Sequence, residues 1–243
     1  TAVGHSALEG CTTATQSTAV GQRALEQVST GDKNTGLGWN AGGALTTGDF
    51  NVFVGQRAGD AITTGDNNTA VGSEALSSGP SGENCTAVGY QALFANTTGQ
   101  RNTAVGTNAL DANTTAEDNT AVGQNSQTRT TTGNGNTSVG RESMDKNTTG
   151  ASNVAVGMYA LYGNTTASDN TAVGKSALET NTTGSKNTAV GRNALLLNTT
   201  GGSNTAVGTF ALDANTTASS VVAVGYNALG TTTTGSDNTA IGA

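Results

Sequence analysis

Asn102-Thr103-Ala104-Val105-Gly106-Thr107-Asn108-Ala109-Leu110 opens one period of a repeat that runs through all 243 residues. Seventeen residues on, the same pattern returns as Asn119-Thr120-Ala121-Val122-Gly123. The glycine recurs at Gly4, Gly21, Gly38, Gly55, Gly72, Gly89, Gly106, Gly123, Gly140, Gly157, Gly174, Gly191, Gly208, Gly225 and Gly242, without one insertion or deletion. Surface loops of ordinary domains tolerate length changes, so a register this strict means that each unit sits in the same way on the next. The unit reads as a strand (Thr-Ala-Val), a corner (Ala-Leu) and a turn (Asn-Thr-Thr-Gly). The chain is therefore expected to be all-β, a parallel β-solenoid (β-roll) of about 14 coils with 17 residues per coil.

Within the strand, Val holds the place before the glycine in every repeat except those with Leu37 and Ile241. The hydrophobic column is expected to be buried, with the Thr two residues earlier on the same inward face. On that assignment Val105→Asp should unfold the coil. The Asn that opens most strands would stack in register and bond along the column. The turn glycine, as in Thr182-Thr183-Gly184, suggests positive φ, although Ala14, Ala116, Ala167 and Ala218 take its place in four repeats. Gly42 and Gly59 replace the consensus Leu while Leu45 and Ile62 appear three residues later, so these coils are expected to keep the fold with a repacked interior.

Composition sets further bounds. Aromatic residues make up 4% and hydrophobic residues 34%, which leaves thin Ala, Val, Thr and Leu layers in place of a thick core. A single coil orders too much chain for the surface it buries, so a homo-oligomer is expected. The column of Leu residues from Leu8 to Leu229 either makes that contact or fills each coil's own interior. The net charge of −7, with ten scattered basic residues, argues against nucleic acid as partner. No segment reaches transmembrane length, so membrane insertion of this segment is not expected. Both ends fall inside a repeat, and residues 1–243 are expected to be a single repeat solenoid excerpted from a longer fibrous chain. Cys11 and Cys85 lie at different phases of the repeat, more than four coils apart, and are read as free thiols.

The motif from Asn102 to Leu110 resembles the head repeats of YadA-like trimeric autotransporter adhesins and related repeats of bacteriophage tail fibres. The resemblance covers the whole chain, although the adhesin repeat is shorter and more variable in length. It implies a left-handed roll, association of three chains, and display outside the cell, on a cell surface or a virion.

Candidate chemistry is sparse. His5, the only histidine, has no partner assignable from spacing, and neither catalysis nor a cofactor is expected. Asp32, Asp49 and Asp66 follow the turn glycine in three successive repeats, but the glycine-rich nonapeptide of calcium-binding rolls is missing, so no metal site is assigned. Asn-x-Thr sequons at Asn96, Asn113, Asn147, Asn164, Asn181, Asn198 and Asn215 share the turn phase and are candidate glycosylation sites along one edge. Further sequons fall at Asn67, Asn84 and Asn136. The two variable places after the core glycine carry Trp39, Tyr90, Tyr159, Phe210 and Tyr226, the candidate contacts for a surface receptor or glycan. Ice binding ranks low, because the strand offers one Thr beside Ala and Val where a Thr-x-Thr pair is wanted. The leading expectation is a structural and adhesive fibre segment. The alternative is the subunit of an extracellular filament, with or without glycans, whose role is mechanical.

Overall fold

The computed structural model describes residues 1–79 and 81–243. The molecule is all-β, with 15 parallel strands in a β-solenoid of about 14 turns and ~17 residues per turn, and no helix occurs among the described residues. Two compact units divide it, Thr1–Asn119 and Thr120–Ala243. The first holds β1 (Ala2–Val3), β2 (Thr18–Val20), β3 (Thr35–Leu37), β4 (Val52–Val54), β5 (Thr69–Val71), β6 (Thr86–Val88) and β7 (Thr103–Val105). The second holds β8 (Thr120–Val122), β9 (Thr137–Val139), β10 (Val154–Val156), β11 (Thr171–Val173), β12 (Thr188–Val190), β13 (Thr205–Val207), β14 (Val222–Val224) and β15 (Thr239–Ile241).

In both units each strand pairs with the next at a shift of one period. Thr86 faces Thr103 and Val88 faces Val105 in the first unit, as Thr171 faces Thr188 and Val173 faces Val190 in the second. Main-chain bonds continue around the coil: Leu178 N–H donates to Ala194 O at 3.0 Å, Thr182 N–H to Thr199 O at 2.9 Å, and Lys186 N–H to Ser168 O at 3.1 Å. A strand of only three residues is viable because these ladders satisfy its corners as well as its middle.

The strand faces are the reverse of the sequence expectation. In β11 the central Ala172 is fully buried, while Thr171 and Val173 lie outside it. The same alternation holds in β5 to β8, where Ala70, Ala87, Ala104 and Ala121 are inside. The cause is the cross-section of the coil. Alanines from two sides, Ala172 of the strand and Ala177 of the corner, meet Leu178 and the Asn170 and Asn181 amides, all buried. With those residues inside, the strand's inner position is left to a methyl group.

The Leu column belongs to this interior. Leu93 and Leu110 in the first unit, and Leu161, Leu178, Leu195 and Leu212 in the second, are fully buried. Each adopts a left-handed backbone, with φ of 52° at Leu110 and 53° at Leu178, which costs roughly 1–2 kcal/mol for a residue with a side chain. That geometry turns the chain inward at the corner, where the burial of the isobutyl group and the Leu178 to Ala194 ladder bond offset the strain. The core glycine is confined more tightly. Gly174 has φ +133°, and a Cβ there would lie 2.6 Å from Gly191 O.

The turn glycine answers to close packing and not to positive φ. Gly184 is not in the left-handed region, whereas Lys186, two residues on, is (φ 62°). A Cβ on Gly184 would meet Gly201 O at 2.2 Å, and the repeats with Ala116, Ala167 and Ala218 accept that methyl group as a buried one.

Gly42 and Gly59 mark a coordinated exchange. Phe53 takes the inner place of β4, where Ala stands in most strands, and is fully buried. Its ring fills the space that Leu would take in two coils: a Cβ on Gly42 would approach Phe53 Cδ2 to 2.6 Å, and one on Gly59 would approach Cε1 to 2.3 Å. Leu45 and Ile62 replace ladder asparagines three residues later and are also buried, so the fold is kept with a repacked interior.

Candidate interaction surface

Two columns of Asn side chains run inside the roll. In the first, which opens the strands, Asn204 N–H donates to Asn187 Oδ1 at 2.9 Å, while Asn187 Nδ2 donates to Gly201 O at 2.9 Å. Asn119 N–H and Asn102 Oδ1 do the same in the first unit, at 3.0 Å. The second column is the turn Asn. Asn181 Nδ2 donates to Asn164 Oδ1 at 3.1 Å and to Gly184 O at 2.9 Å, and Asn198 Nδ2 donates to Asn181 Oδ1 at 2.8 Å.

That second column contains every candidate glycosylation site. Asn96, Asn113, Asn147, Asn164, Asn181, Asn198 and Asn215 are all buried. Each amide nitrogen donates to a main-chain carbonyl. A sugar on this nitrogen would have to occupy packed interior and break the ladder, so the expected glycan edge is corrected to an internal hydrogen-bond column. Of the other sequons Asn136 is buried too, and Asn67 and Asn84 stand at exposed positions.

The aspartates after the turn glycine form a third ladder. Asp32 N–H donates to Asp49 Oδ1 and Asp49 N–H to Asp66 Oδ1, both at 2.7 Å. Serine performs this task in the second unit, where Ser168 N–H donates to Ser185 Oγ and Gly202 N–H to Ser219 Oγ, each at 3.0 Å. A side-chain oxygen that reaches back one coil is what Asp and Ser share, while Ala151 and Gly202 hold the same place without one. The Thr15 N–H holds the Asp32 carboxyl below the ordinary carboxylate range, with help from the Thr15 hydroxyl. No group of three or more His, Cys, Asp or Glu side chains suited to a metal ion occurs among the described residues. His5 Nδ1 lies 3.1 Å from Ser6 Oγ at an exposed site.

Three outward strips remain. The strand face consists of the Thr and Val columns, and neither contains a charged residue in any repeat. In the second unit Val139, Val156, Val173, Val190 and Val207 expose 36–39% of their surface on five successive coils. Leu37, in the first unit, exposes 46%.

The strip after the core glycine bears the predicted aromatic contacts. Trp39, Tyr90 and Tyr226 are exposed, while Tyr159 and Phe210 are half-buried. Phe210 and Tyr226 meet edge to face at 6.2 Å, with the Arg192 guanidinium 5.7 Å from the Phe210 ring. Tyr159 packs edge-on against Tyr162 at 5.8 Å and receives Arg141 at 5.0 Å from its centroid. Trp39 and Tyr90 are three periods apart in the first unit, so the five residues do not form one patch.

The third strip is the outer corner beside the turn. In the second unit it holds a hollow of about 420 Å³ lined by Lys146, Tyr162, Gly163, Thr165, Glu179, Thr180 and Thr182. Sequence reasoning missed it. The signal was Gly163, at a phase where neighbouring coils have Lys146, Thr180 and Leu197.

No protein-family model matches the chain, and no curated protein matches it in sequence. The likeness to adhesin and tail-fibre repeats therefore rests on the motif alone.

Proposed function

We propose that the chain is a structural and adhesive fibre segment that works outside the cell as a homo-oligomer, with no catalytic step. The observation that carries this reading is the uncharged Thr and Val strand face. An apolar strip repeated without interruption over successive coils is costly to leave in water and marks a contact surface. A second copy of the chain suits it, since only another roll offers partner side chains at the same spacing, roughly 4.8 Å. The contact thus falls on the Val column, the Leu residues being internal. The motif resemblance favours three chains, with cell-surface or virion display.

Sedimentation of the purified protein tests the proposal. A discrete oligomer is expected, and Val156→Lys with Val190→Lys should convert it to a monomer that melts at a similar temperature. A wild-type monomer at micromolar concentration would refute the oligomer. Growth into micrometre fibres would point instead to the mechanical filament.

The corrected face also favours a second reading. Thr and Val point outward on either side of a buried Ala, which gives a flat Thr-x-Val array of hydroxyl and methyl groups that suits the ordering of water. Thermal hysteresis by a monomer would establish ice binding in place of self-association.

A further inference from the structure

The hollow at the outer corner of the second unit has a hydrogen-bonding polarity that selects its occupant. Thr165 Oγ1 donates its proton to Thr182 O at 3.0 Å, Thr182 Oγ1 to Thr199 O at 3.0 Å, and Thr180 Oγ1 to Leu196 O at 2.8 Å. With their protons committed to carbonyls of the next coil, these hydroxyls offer a ligand only lone pairs. The Glu179 carboxylate is likewise an acceptor, and the side-chain donors left on the rim are the Lys146 ammonium and the Tyr162 hydroxyl.

The floor is aromatic. Tyr162 is steadied by its edge-on contact with Tyr159 at 5.8 Å, and the Lys146 ammonium sits 4.8 Å from the Tyr162 centroid. The space exists because residue 163 is glycine. A Cβ there would come within 2.8 Å of Glu179 O.

We propose that this hollow binds a neutral saccharide. An acceptor-rich rim calls for a ligand rich in O–H donors, which a phosphate or carboxylate is not. One ammonium and one carboxylate on the rim cancel, so net charge gives no ligand an advantage. The Tyr162 ring suits the C–H face of a pyranose, which would displace the Lys146 ammonium now over that ring toward a sugar hydroxyl, and about 420 Å³ holds one or two sugar units. This deepens the adhesive part of the proposed function and rests on it for biological meaning. Binding is measured separately from assembly, so either can fail alone.

Saturation-transfer NMR and calorimetry with methyl glucoside, methyl galactoside, methyl mannoside and N-acetylglucosamine supply the test, with sialic acid and inorganic phosphate as anionic comparators. At least one neutral sugar should bind with a Kd in the millimolar range or tighter. Gly163→Leu, which fills the hollow, and Tyr162→Ala, which removes its floor, should each weaken that binding tenfold or more. Tyr162→Ala changes only a half-buried surface ring, so it decides the matter if Gly163→Leu misfolds. Silence from all four sugars, binding confined to the anions, or equal affinity in folded Tyr162→Ala would overturn the proposal, even where the oligomer is intact.

Discussion

Asn187 shows what a single residue does in this molecule. Its Oδ1 takes the main-chain N–H of Asn204, and its Nδ2 supplies the carbonyl of Gly201. Asn187→Ala leaves both groups buried and unpaired, at roughly 1–3 kcal/mol each, and the melting temperature should fall accordingly. Asn187→Asp keeps the acceptor but loses the donor and buries a charge. Burial would raise that carboxyl above its unfolded value, so the variant should gain stability as pH falls and the folded state takes up the proton. Thermal melts at pH 7 and pH 4 check both the loss and its sign. Cys85 occupies the same column, where its N–H donates to Asn68 Oδ1 at 3.0 Å and its thiol points at Gly99 O, 3.4 Å away. Burial pushes the Cys85 thiol up and holds it protonated. A thiol reagent at pH 8 should therefore label exposed Cys11 in the native protein, and both cysteines only after unfolding.

A whole coil behaves as a packing unit with fixed internal volume. Phe53 stands where a strand Ala is usual, and glycine replaces Leu in the two coils that it touches. Phe53→Ala should cost about 3–5 kcal/mol by opening a cavity. Adding Gly42→Leu and Gly59→Leu returns the usual Leu to both corners and should recover part of that loss. Equal melting temperatures for the single and triple variants would show that these residues do not share a volume. The strand itself offers a sharper contrast. Ala172→Asp puts a charge at a closed interior site and should cost several kcal/mol, while Val173→Asp, one residue on, should leave the melt of the isolated chain within about 0.5 kcal/mol. Circular dichroism of the two variants checks the inward face directly. The inward placement assumed for Val105→Asp is corrected in the same way, since Val105 lies on the outer face of its strand and is only partly buried.

At the scale of the whole molecule, the interior combines hydrogen-bonded Asn columns with columns of Leu and Ala, and the exterior is a set of repeated strips. Peptide mass mapping of the protein from a glycosylating host should find the sequons from Asn96 to Asn215 bare in folded material, with any sugar confined to exposed Asn67 and Asn84. A glycan on Asn181 in a folded chain would contradict the buried ladder. Much of this was legible beforehand. An uninterrupted period of 17 required stacked coils, the β-branched run required strands, and the recurring Asn required a column. The site was less legible, since the aromatic residues were visible in the sequence but the contacts of Phe210 with Tyr226 and of Tyr159 with Tyr162 depend on how the coils place their rings. The hollow arises from one missing side chain at Gly163 and becomes evident only when Lys146, Tyr162 and Glu179 are brought around it.

By itself the sequence determined the periodicity, the strand positions, the register of coil on coil and the repacking around Gly42 and Gly59. Only the tertiary structure decided which side of each strand faces inward and that the turn asparagines are internal. An alternation of period two is satisfied equally by either face, and Val outranks Ala in hydrophobicity, so local patterning pointed the wrong way. The inner width of a 17-residue coil, already occupied by Leu and two amides, leaves room there for a methyl group and turns the larger side chain out.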